Sequence, residues 1–283
     1  MVDRLSLRRA VPEPLKRVAS AALNAADPLA VRSYRRHAGS RDAIPPRVLR
    51  ARVGAPGVQT YVDDGRRVAS ELERILAGYG RRLDELGAIY DFGCGSGRVL
   101  TRLGSADGAR LAGSDVDDEA VGWLDANYPG VDARPNGQAP PSPFAARSFD
   151  LVYSISVFTH LDEPSQLAWL AELQRVLRPD GLAILTTHGP VLYEAFRSGR
   201  RPGMTPAQHA ALRARGPLDL EGFVFSPEPR WGAWRHRGIE SSYGLSFHAH
   251  AYIRERWGEL LEIVDIAPAS INWRQDAVVA RAR

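Results

Sequence analysis

Cysteine, lysine and long apolar runs are scarce in this 283-residue chain. Its one cysteine, Cys94, has no second cysteine for an internal disulfide, which favours a reducing, cytoplasmic setting. Lys16 is the one lysine, so 36 of the 37 Lys and Arg residues are arginines. No run of 18 or more apolar residues occurs, which argues against a membrane-spanning helix. The first 30 residues lack an apolar core followed by a small-residue cleavage site, so no secretory signal is expected.

Positive charge is concentrated at the start of the chain. Residues 1–53 hold 12 Lys or Arg against 4 Asp or Glu, whereas the remaining 230 residues hold 25 against 29. Aromatic residues do not alternate with these arginines as they would on a nucleic-acid surface, so no nucleic-acid binding is expected. The pattern favours a solvated helical arm, which would also permit peripheral contact with a membrane surface.

Prolines indicate how the chain is divided. A helical stretch near the start is predicted to end at Pro28, and the pair Pro45-Pro46 marks a boundary. We therefore expect a basic N-terminal helical extension over residues 1–45 and a main domain over residues 46–283.

Strand and helix patterns alternate from about residue 88 onward. Between them, residues 163–177 place apolar side chains at helical spacing before Pro179 and Gly181. Strands separated by helices predict a doubly wound α/β fold, with a mostly parallel seven-stranded sheet covered by helices on both faces. The predicted strands are residues 88–92, 110–114, 131–134, 149–154, 182–187, 262–267 and 276–281.

Residues 188–248 interrupt this alternation. They are dense in Gly, Pro, Arg and Trp and show weak periodicity. An irregular stretch of this length inside a compact domain is usually functional, so we predict a cap insertion over the ligand edge of the sheet, before the last two strands. Flat aromatic rings and arginines in the cap are candidates to hold a substrate, or else to pack the cap and face solvent. These are Trp231, Trp234, Tyr243, Arg230, Arg235 and Arg237.

Three glycines follow the first predicted strand in the segment IYDFGCGSGRVL, residues 89–100. Glycine permits positive φ and close approach of a ligand to the backbone. A dinucleotide loop would read G-x-G-x-x-G, but here the spacing is G-x-G-x-G, with Asp91 two residues before the first glycine. An acid at that position favours a ligand with an ammonium group over a diphosphate.

Residues 91–97, DFGCGSG, resemble the first motif of the class I S-adenosylmethionine-dependent methyltransferases, and further matches follow in order. Asp115 lies 24 residues after Asp91, at the end of the second predicted strand, and residues 148–161 and 173–189 resemble the fourth strand, the following turn and the fifth strand of this bacterial family. The resemblance implies a Rossmann-like fold and S-adenosylmethionine as the cofactor.

The resemblance also implies roles for individual residues. Asp115 would accept hydrogen bonds from the ribose hydroxyls, and Asn136-Gly137 would read the adenine amino group or form a plain turn. Gly93, Gly95 and Gly97 would let the backbone pass close to the methionine moiety and the ribose, with Cys94 as a small loop residue and Asp91 as an anchor or a brace below them. The other expected cofactor residues are Val116 against adenine, Ser154 or Phe158 beside the sulfonium, and Tyr61 on the methionine carboxylate or packed on the sheet.

Methyl transfer to a hydroxyl needs a group that removes its proton, and histidine suits this near neutral pH. Four histidines follow predicted strands or lie in the distal segment: His160, His188, His248 and His250. We expect His248 or His188, ahead of His160, to be the base, with a structural hydrogen bond as the alternative for each. No H-x-x-x-H or paired-cysteine spacing is present, so no metal is expected.

The resemblance leads us to expect an enzyme that methylates a small-molecule or glycan acceptor, such as a sugar, a glycolipid or a secondary metabolite, at a hydroxyl. Two alternatives stay open. One is N- or C-methylation of a natural product, and the other is a non-catalytic binding or scaffold protein that keeps the fold. The oligomeric state has no signature in the sequence.

Overall fold

The computed structural model of the chain describes residues 13–104, 108–201, 203–227 and 242–283. Within it the chain divides into two compact units, the first ending at Asp63 and the second beginning at Asp64. Helix α3, Val58–Gly78, contains the point of division. None of the helices in the described ranges is long and apolar enough to cross a membrane.

The first unit contains helices α1, Glu13–Ala38, and α2, Arg47–Arg52. Arg50 is buried, and its guanidinium pairs with the carboxylate of Asp27 and donates to the carbonyl oxygens of Pro45 and Pro56. This pairing satisfies a charge that would be costly to bury alone, and it ties α1 to α2. The prediction that the first helix ends at Pro28 is wrong, because α1 continues through that proline to Ala38. The extension over residues 1–45 stays a prediction.

The second unit is built on a seven-stranded sheet in the order β3-β2-β1-β4-β5-β9-β8. Strands β1 to β5 pair in parallel, whereas β9 runs antiparallel to both β5 and β8. The predicted mostly parallel, seven-stranded architecture is confirmed. The strands of the described ranges are β1 Ala88–Phe92, β2 Arg110–Asp115, β3 Val131–Pro135, β4 Phe149–Ser154, β5 Leu177–Thr187, β6 Phe223–Pro227, β7 Gly244–His248, β8 Glu262–Ile271 and β9 Gln275–Arg281.

Alternate residues of each central strand enter two separate cores, because successive side chains of a strand point to opposite faces. Ile89 and Leu151 belong to one core, and Tyr90 and Val152 belong to the other. Helices therefore cover both faces, as the sequence predicts. Besides the part of α3 from Asp64 onward, the second unit contains α4 Asp118–Asn127, α5 Glu163–Val176, α6 Pro190–Arg197, α7 Pro206–Arg215, α8 Leu218–Glu221 and α9 His250–Arg256.

The cap is more regular than its composition predicts. In its described part, the short helices α6, α7 and α8 and the antiparallel ribbon of β6 and β7 enclose a small core that includes Phe196, Leu212 and Phe247. The expectation of an irregular stretch is therefore wrong for these residues. Helix α7 shows the reason, since Thr205 and Gln208 form a reciprocal capping box at its start, a local signal that weak apolar periodicity hides.

Candidate active site

The glycine loop after β1 has the backbone geometry that its composition predicts. Gly93, Gly95 and Gly97 all have positive φ, at 86°, 51° and 76°. A Cβ on Gly93 would lie 2.2 Å from Cγ2 of Val157, so glycine is required there by space as well as by conformation. The N–H groups of Gly93 and Cys94 donate to the carbonyl of Ser114, which fastens the loop to the end of β2.

Asp115, at the end of β2, is held by the backbone on both of its oxygens. Oδ2 accepts from Gly95 N at 2.8 Å, and Oδ1 accepts from Asp117 N at 2.8 Å. Because an ionised carboxylate has about four acceptor sites, each oxygen retains capacity for one more donor. Burial raises the pKa of Asp115 to about 6, and these backbone hydrogen bonds partly oppose that rise. Two hydroxyl donors of a ribose fit this arrangement.

Asn136 follows β3 and lies beside the same acid, since its backbone N–H donates to the carbonyl of Asp115 at 3.0 Å. Its Nδ2 donates to the carbonyl of Gly137 at 2.7 Å. Its Oδ1 is buried and has no hydrogen-bond partner within the described residues. A buried acceptor without a donor is costly, so Oδ1 is suited to an amino group that a ligand brings, such as the amino group of adenine.

Asp91 is buried below the loop, and the hydroxyl of Tyr153 on β4 donates to its Oδ2 at 2.9 Å. Burial raises the pKa of Asp91 to about 7, and the hydrogen bond from Tyr153 opposes that rise. Cys94 is also buried, and burial raises the pKa of its thiol well above the usual range. The thiol is therefore neutral at physiological pH, which argues against a nucleophile and fits a small loop residue.

The other expected cofactor residues have different surroundings. Ser154 is buried and donates to the carbonyl of Phe92 at 2.8 Å, which braces β4 against β1. Phe158 is buried with its ring 5.2 Å from that of Trp257, and Val116 is half-buried directly after Asp115. Tyr61 lies in the first unit, where it packs in a buried cluster with Tyr34 and other apolar residues. Their roles toward the cofactor stay predictions.

His160 and His188 lie together where β4 and β5 end. Their ring centroids are 6.1 Å apart, and the ring of His160 stacks on Tyr243 at 4.8 Å. The Nδ1–H of His160 donates to the carbonyl of Gly244, which leaves Nε2 as the acceptor atom of the neutral ring. His188 is buried, and its Nδ1 has no partner in the described part of the chain. Burial lowers the pKa of both rings, that of His188 the more strongly.

The structure argues against His248 as the base. Both Nε2–H donors of Gln166 go to the carbonyls of Phe158 and Leu161, so its Oε1 accepts from Nε2 of His248 at 2.8 Å. His248 is fully buried, and burial lowers its pKa to about 3. A fully buried imidazole is poorly placed to contact an acceptor, and the hydrogen bond of His248 to Gln166 joins β7 to α5.

Most of the predicted substrate-facing residues of the cap, namely Trp231, Trp234, Arg230, Arg235 and Arg237, lie outside the described residues. Within the described ranges, no group of three His, Cys, Asp or Glu side chains is placed to hold a metal ion.

Comparison with known proteins shows what this chain is similar to. Residues 90–185 match the model of the methyltransferase domain family. A probable S-adenosylmethionine-dependent methyltransferase from Mycolicibacterium smegmatis is 31% identical over 153 residues, which cover 53% of this chain and 56% of that protein. A malonyl-[acyl-carrier protein] O-methyltransferase from Hahella chejuensis is 37% identical over 101 residues, covering 35% of this chain and 36% of that protein. The chain thus spans at most about half the length of these relatives.

Two solved structures share the fold. One is a protein from Pyrococcus horikoshii, at a TM-score of 0.52 and 16% identity, covering 76% of this chain and 89% of that one. The other is an S-adenosylmethionine-dependent methyltransferase from Mesorhizobium loti, at a TM-score of 0.50 and 17% identity. The match covers 74% of this chain and 96% of that one. Residues 90–185 are therefore similar to the methyltransferase domain family, and the chain shares its fold with these two structures. S-adenosylmethionine is the cofactor of this family.

The second unit also contains residues beside the expected site that sequence reasoning missed. Tyr153 holds Asp91, Gln166 holds His248, and Asp276 at the start of β9 lies 2.6 Å from Nε2 of His250. Asp276 had a signal in the sequence, because it is an acid that opens an otherwise apolar strand. Tyr153 and Gln166 had none, since both sit within apolar patterns of ordinary strands and helices.

Proposed function

We propose that this protein is a methyltransferase that moves a methyl group from S-adenosylmethionine to a hydroxyl or carboxyl oxygen of a small-molecule acceptor, and that it acts in the cytoplasm. The observation that carries the proposal is the pair of polar groups at the ends of β2 and β3. Asp115 has acceptor capacity for two hydroxyls, and Asn136 Oδ1 is a buried acceptor without a partner among the described residues. An adenosine offers both kinds of donor.

The glycine loop supports the same ligand. Its three positive-φ glycines bring the backbone of residues 93–97 close to the ligand without side chains in the way, and Asp91 lies directly beneath. An ionised Asp91 would favour the ammonium group of the methionine moiety. Bound S-adenosylmethionine would supply an electrophilic methyl group on a sulfonium, which needs no further activation by the protein.

The protein's own contribution is then alignment of the acceptor, exclusion of water and removal of the acceptor's proton. The imidazoles of His160 and His188 stand at the ends of β4 and β5, the edge where ligands of open α/β sheets bind. Two relatives are named as O-methyltransferases, which supports oxygen as the acceptor atom. Tyr243, stacked on His160, offers a flat surface for a ring of the acceptor.

The test has two steps on the full chain. Calorimetry first measures binding of S-adenosylmethionine and S-adenosylhomocysteine, and we expect both to bind at one site. A panel of sugars, glycolipids, phenols and carboxylic acids is then screened for formation of S-adenosylhomocysteine, with mass spectrometry of the product. Absence of binding would refute the proposal, and binding without turnover on any acceptor of the panel would favour a non-catalytic role of the fold.

A further inference from the structure

A fourth histidine, outside the pair at the ends of β4 and β5, is held by a buried carboxylate. Nε2 of His250 lies 2.6 Å from Oδ2 of Asp276, and the side chains are 34% and 3% exposed. The other oxygen of Asp276 accepts from the backbone N–H of Ala269 at 2.9 Å. These two contacts hold the carboxylate of Asp276 in place. The carboxylate in turn orients the ring of His250, whose proton lies on Nε2. In the neutral ring Nδ1 is then the atom that can accept a proton.

This pair lies at the same edge of the sheet as the glycine loop. Asp276 pairs with Thr187, the last residue of β5, and β9 begins at this edge because it runs antiparallel to β5. The neighbouring Gln275 donates to Oγ of Ser156 at 2.7 Å, and Ser156 lies two residues after the end of β4. The start of β9 is thus connected side chain to side chain with the loop after β4, next to the predicted sulfonium side.

The chain makes room for the pair with a glycine. A Cβ on Gly189 would lie 1.7 Å from Oδ2 of Asp276, the oxygen that contacts His250. Gly189 has φ of −85°, which any residue adopts, so the requirement for glycine comes from the carboxylate alone. Gly189 also directly follows His188, so the exit of β5 is shaped around the Asp276 carboxylate.

The other three histidines compare poorly as bases. His248 is sealed in the core, and burial lowers the pKa of His160 and, more strongly, of His188, with no hydrogen-bonded carboxylate on either ring among the described residues. His250 alone of the four has a hydrogen-bonded carboxylate within the described residues together with a substantial exposed fraction. A carboxylate in that position orients a base and stabilises the imidazolium that forms, as in other histidine-carboxylate pairs of enzymes.

We propose that His250 is the general base of the reaction and that Asp276 is its positioning residue; this rests on the proposed methyltransferase function. As the acceptor oxygen forms its bond to the methyl carbon, the carbon–sulfur bond breaks with its electron pair left on sulfur. The hydroxyl proton passes to Nδ1 of His250, and the resulting imidazolium faces the negative charge of Asp276. The proton then leaves to solvent, to which the His250 side chain is 34% exposed.

The test compares His250→Gln and Asp276→Asn with the wild-type chain, and His209→Gln is the matched control. His209 is a half-buried cap residue whose ring donates to the carbonyl of Phe196, away from any role assigned above. The first measurement uses no acceptor: the rate of carbethoxylation of each histidine by diethyl pyrocarbonate, followed by mass spectrometry. His250 should react faster than His209, and Asp276→Asn should slow His250 at least about fivefold because Nδ1 loses its enforced lone pair.

The second measurement is turnover with the best acceptor of the panel. Removal of a general base costs about 10²-fold to 10⁴-fold, so His250→Gln should lower kcat by at least about 100-fold. Asp276→Asn should lower kcat with little change in KM, while binding of S-adenosylhomocysteine stays within about twofold for all variants. If the wild-type chain does not bind S-adenosylhomocysteine, the proposed function itself is refuted.

Two results would overturn the inference alone. One is wild-type turnover by His250→Gln in a chain that binds S-adenosylhomocysteine normally. The other is a His250 that reacts with diethyl pyrocarbonate no faster than His209 and is indifferent to Asp276→Asn. Circular dichroism and thermal unfolding of each variant distinguish these results from misfolding. Asp276→Asn tests the proposal even if His250→Gln does not fold, because the variant retains the native imidazole.

Discussion

The backbone N–H of Gly95 donates to Oδ2 of Asp115 across a distance of 2.8 Å, which joins the glycine loop after β1 to the acid that ends β2. The residue that shapes the loop and the residue expected to hold the ribose are therefore one hydrogen-bonded unit. A change at either position should alter cofactor binding through the other.

Replacing Asp115 by Asn should weaken binding of S-adenosylmethionine about 100-fold, equivalent to about 2.7 kcal/mol. The amide presents an NH₂ group to the backbone donors of Gly95 or Asp117 and has fewer acceptor sites for the ribose. Calorimetry measures the change. Asp125→Asn, on the exposed face of α4, is the control and should bind as the wild type does. Equal affinity of both variants for S-adenosylmethionine would show that Asp115 does not hold the ribose.

Replacing Gly93 by Ala should lower the free energy of unfolding by about 1–3 kcal/mol, because the new Cβ meets both a positive φ and the stiff side chain of Val157. Gly122→Ala is the matched control. Gly122 lies inside α4, and a Cβ added there would have nothing within 4 Å, so alanine should raise stability by up to about 1 kcal/mol. Urea unfolding of both variants measures the two changes in the free energy of unfolding. Equal changes would show that the Gly93 loop relaxes around the added Cβ and would contradict the prediction.

The affinity for S-adenosylmethionine should fall as the pH drops below about 7. Burial holds the pKa of Asp91 at about 7, so at lower pH the acid is protonated and must lose its proton when it faces an ammonium group. For one such group the loss approaches tenfold for each pH unit. Calorimetry between pH 8 and 6, in buffers of different ionisation enthalpy, measures both the affinity and the proton released.

Asp91→Asn is the control for that measurement, because the ligand's own amino group also titrates near this range. The variant should bind weakly and lack the slope between pH 8 and 6.5. A remaining slope below pH 6 belongs to Asp115, whose pKa burial raises to about 6. An unchanged slope in Asp91→Asn would show that Asp91 does not cause it.

Acid should destabilise the fold through His248. Its pKa is about 3 when folded, against about 6.5 in the unfolded chain, so between these values the unfolded state binds a proton that the folded state excludes. The stability that the neutral, buried imidazole of His248 contributes is fully present above pH 6.5 and is lost as the pH falls toward 3. At pH 5 the loss is about 2 kcal/mol. Urea unfolding of His248→Asn at pH 7 and 5 should show a smaller loss than the wild type.

Asp91 and Asp115 contribute in the opposite direction over the same range, because their pKa values are raised, so the informative quantity is the difference between the variant and the wild type. Equal slopes in His248→Asn and the wild type would contradict the buried, neutral imidazole.

Gly189→Ala should displace the carboxylate of Asp276 from His250 and lower kcat at least about tenfold without affecting cofactor affinity. The reason is steric, since the added Cβ would overlap Oδ2 of Asp276. Gly258→Ala is the matched control, as nothing lies within 4 Å of the corresponding position. Comparable turnover in the two alanine variants would mean that the His250 contact is not needed for the reaction.

The sequence by itself determined the doubly wound sheet, the glycine loop and its acid. These depend on local signals, namely apolar strands at regular intervals and three glycines that tolerate positive φ. The end of the first helix was predicted wrongly at Pro28, because one proline weakens a helix without ending it when buried contacts such as Arg50 with Asp27 hold the following turns.

Only the tertiary structure decided which histidines have partners that suit catalysis. His248 and His250 are two residues apart, yet one is sealed against Gln166 and the other is partly exposed beside Asp276. Both partners lie 26 or more residues away along the chain, 82 in the case of Gln166. Long-range contacts of this kind arise from strand order and helix packing, which the residue pattern around a histidine does not encode.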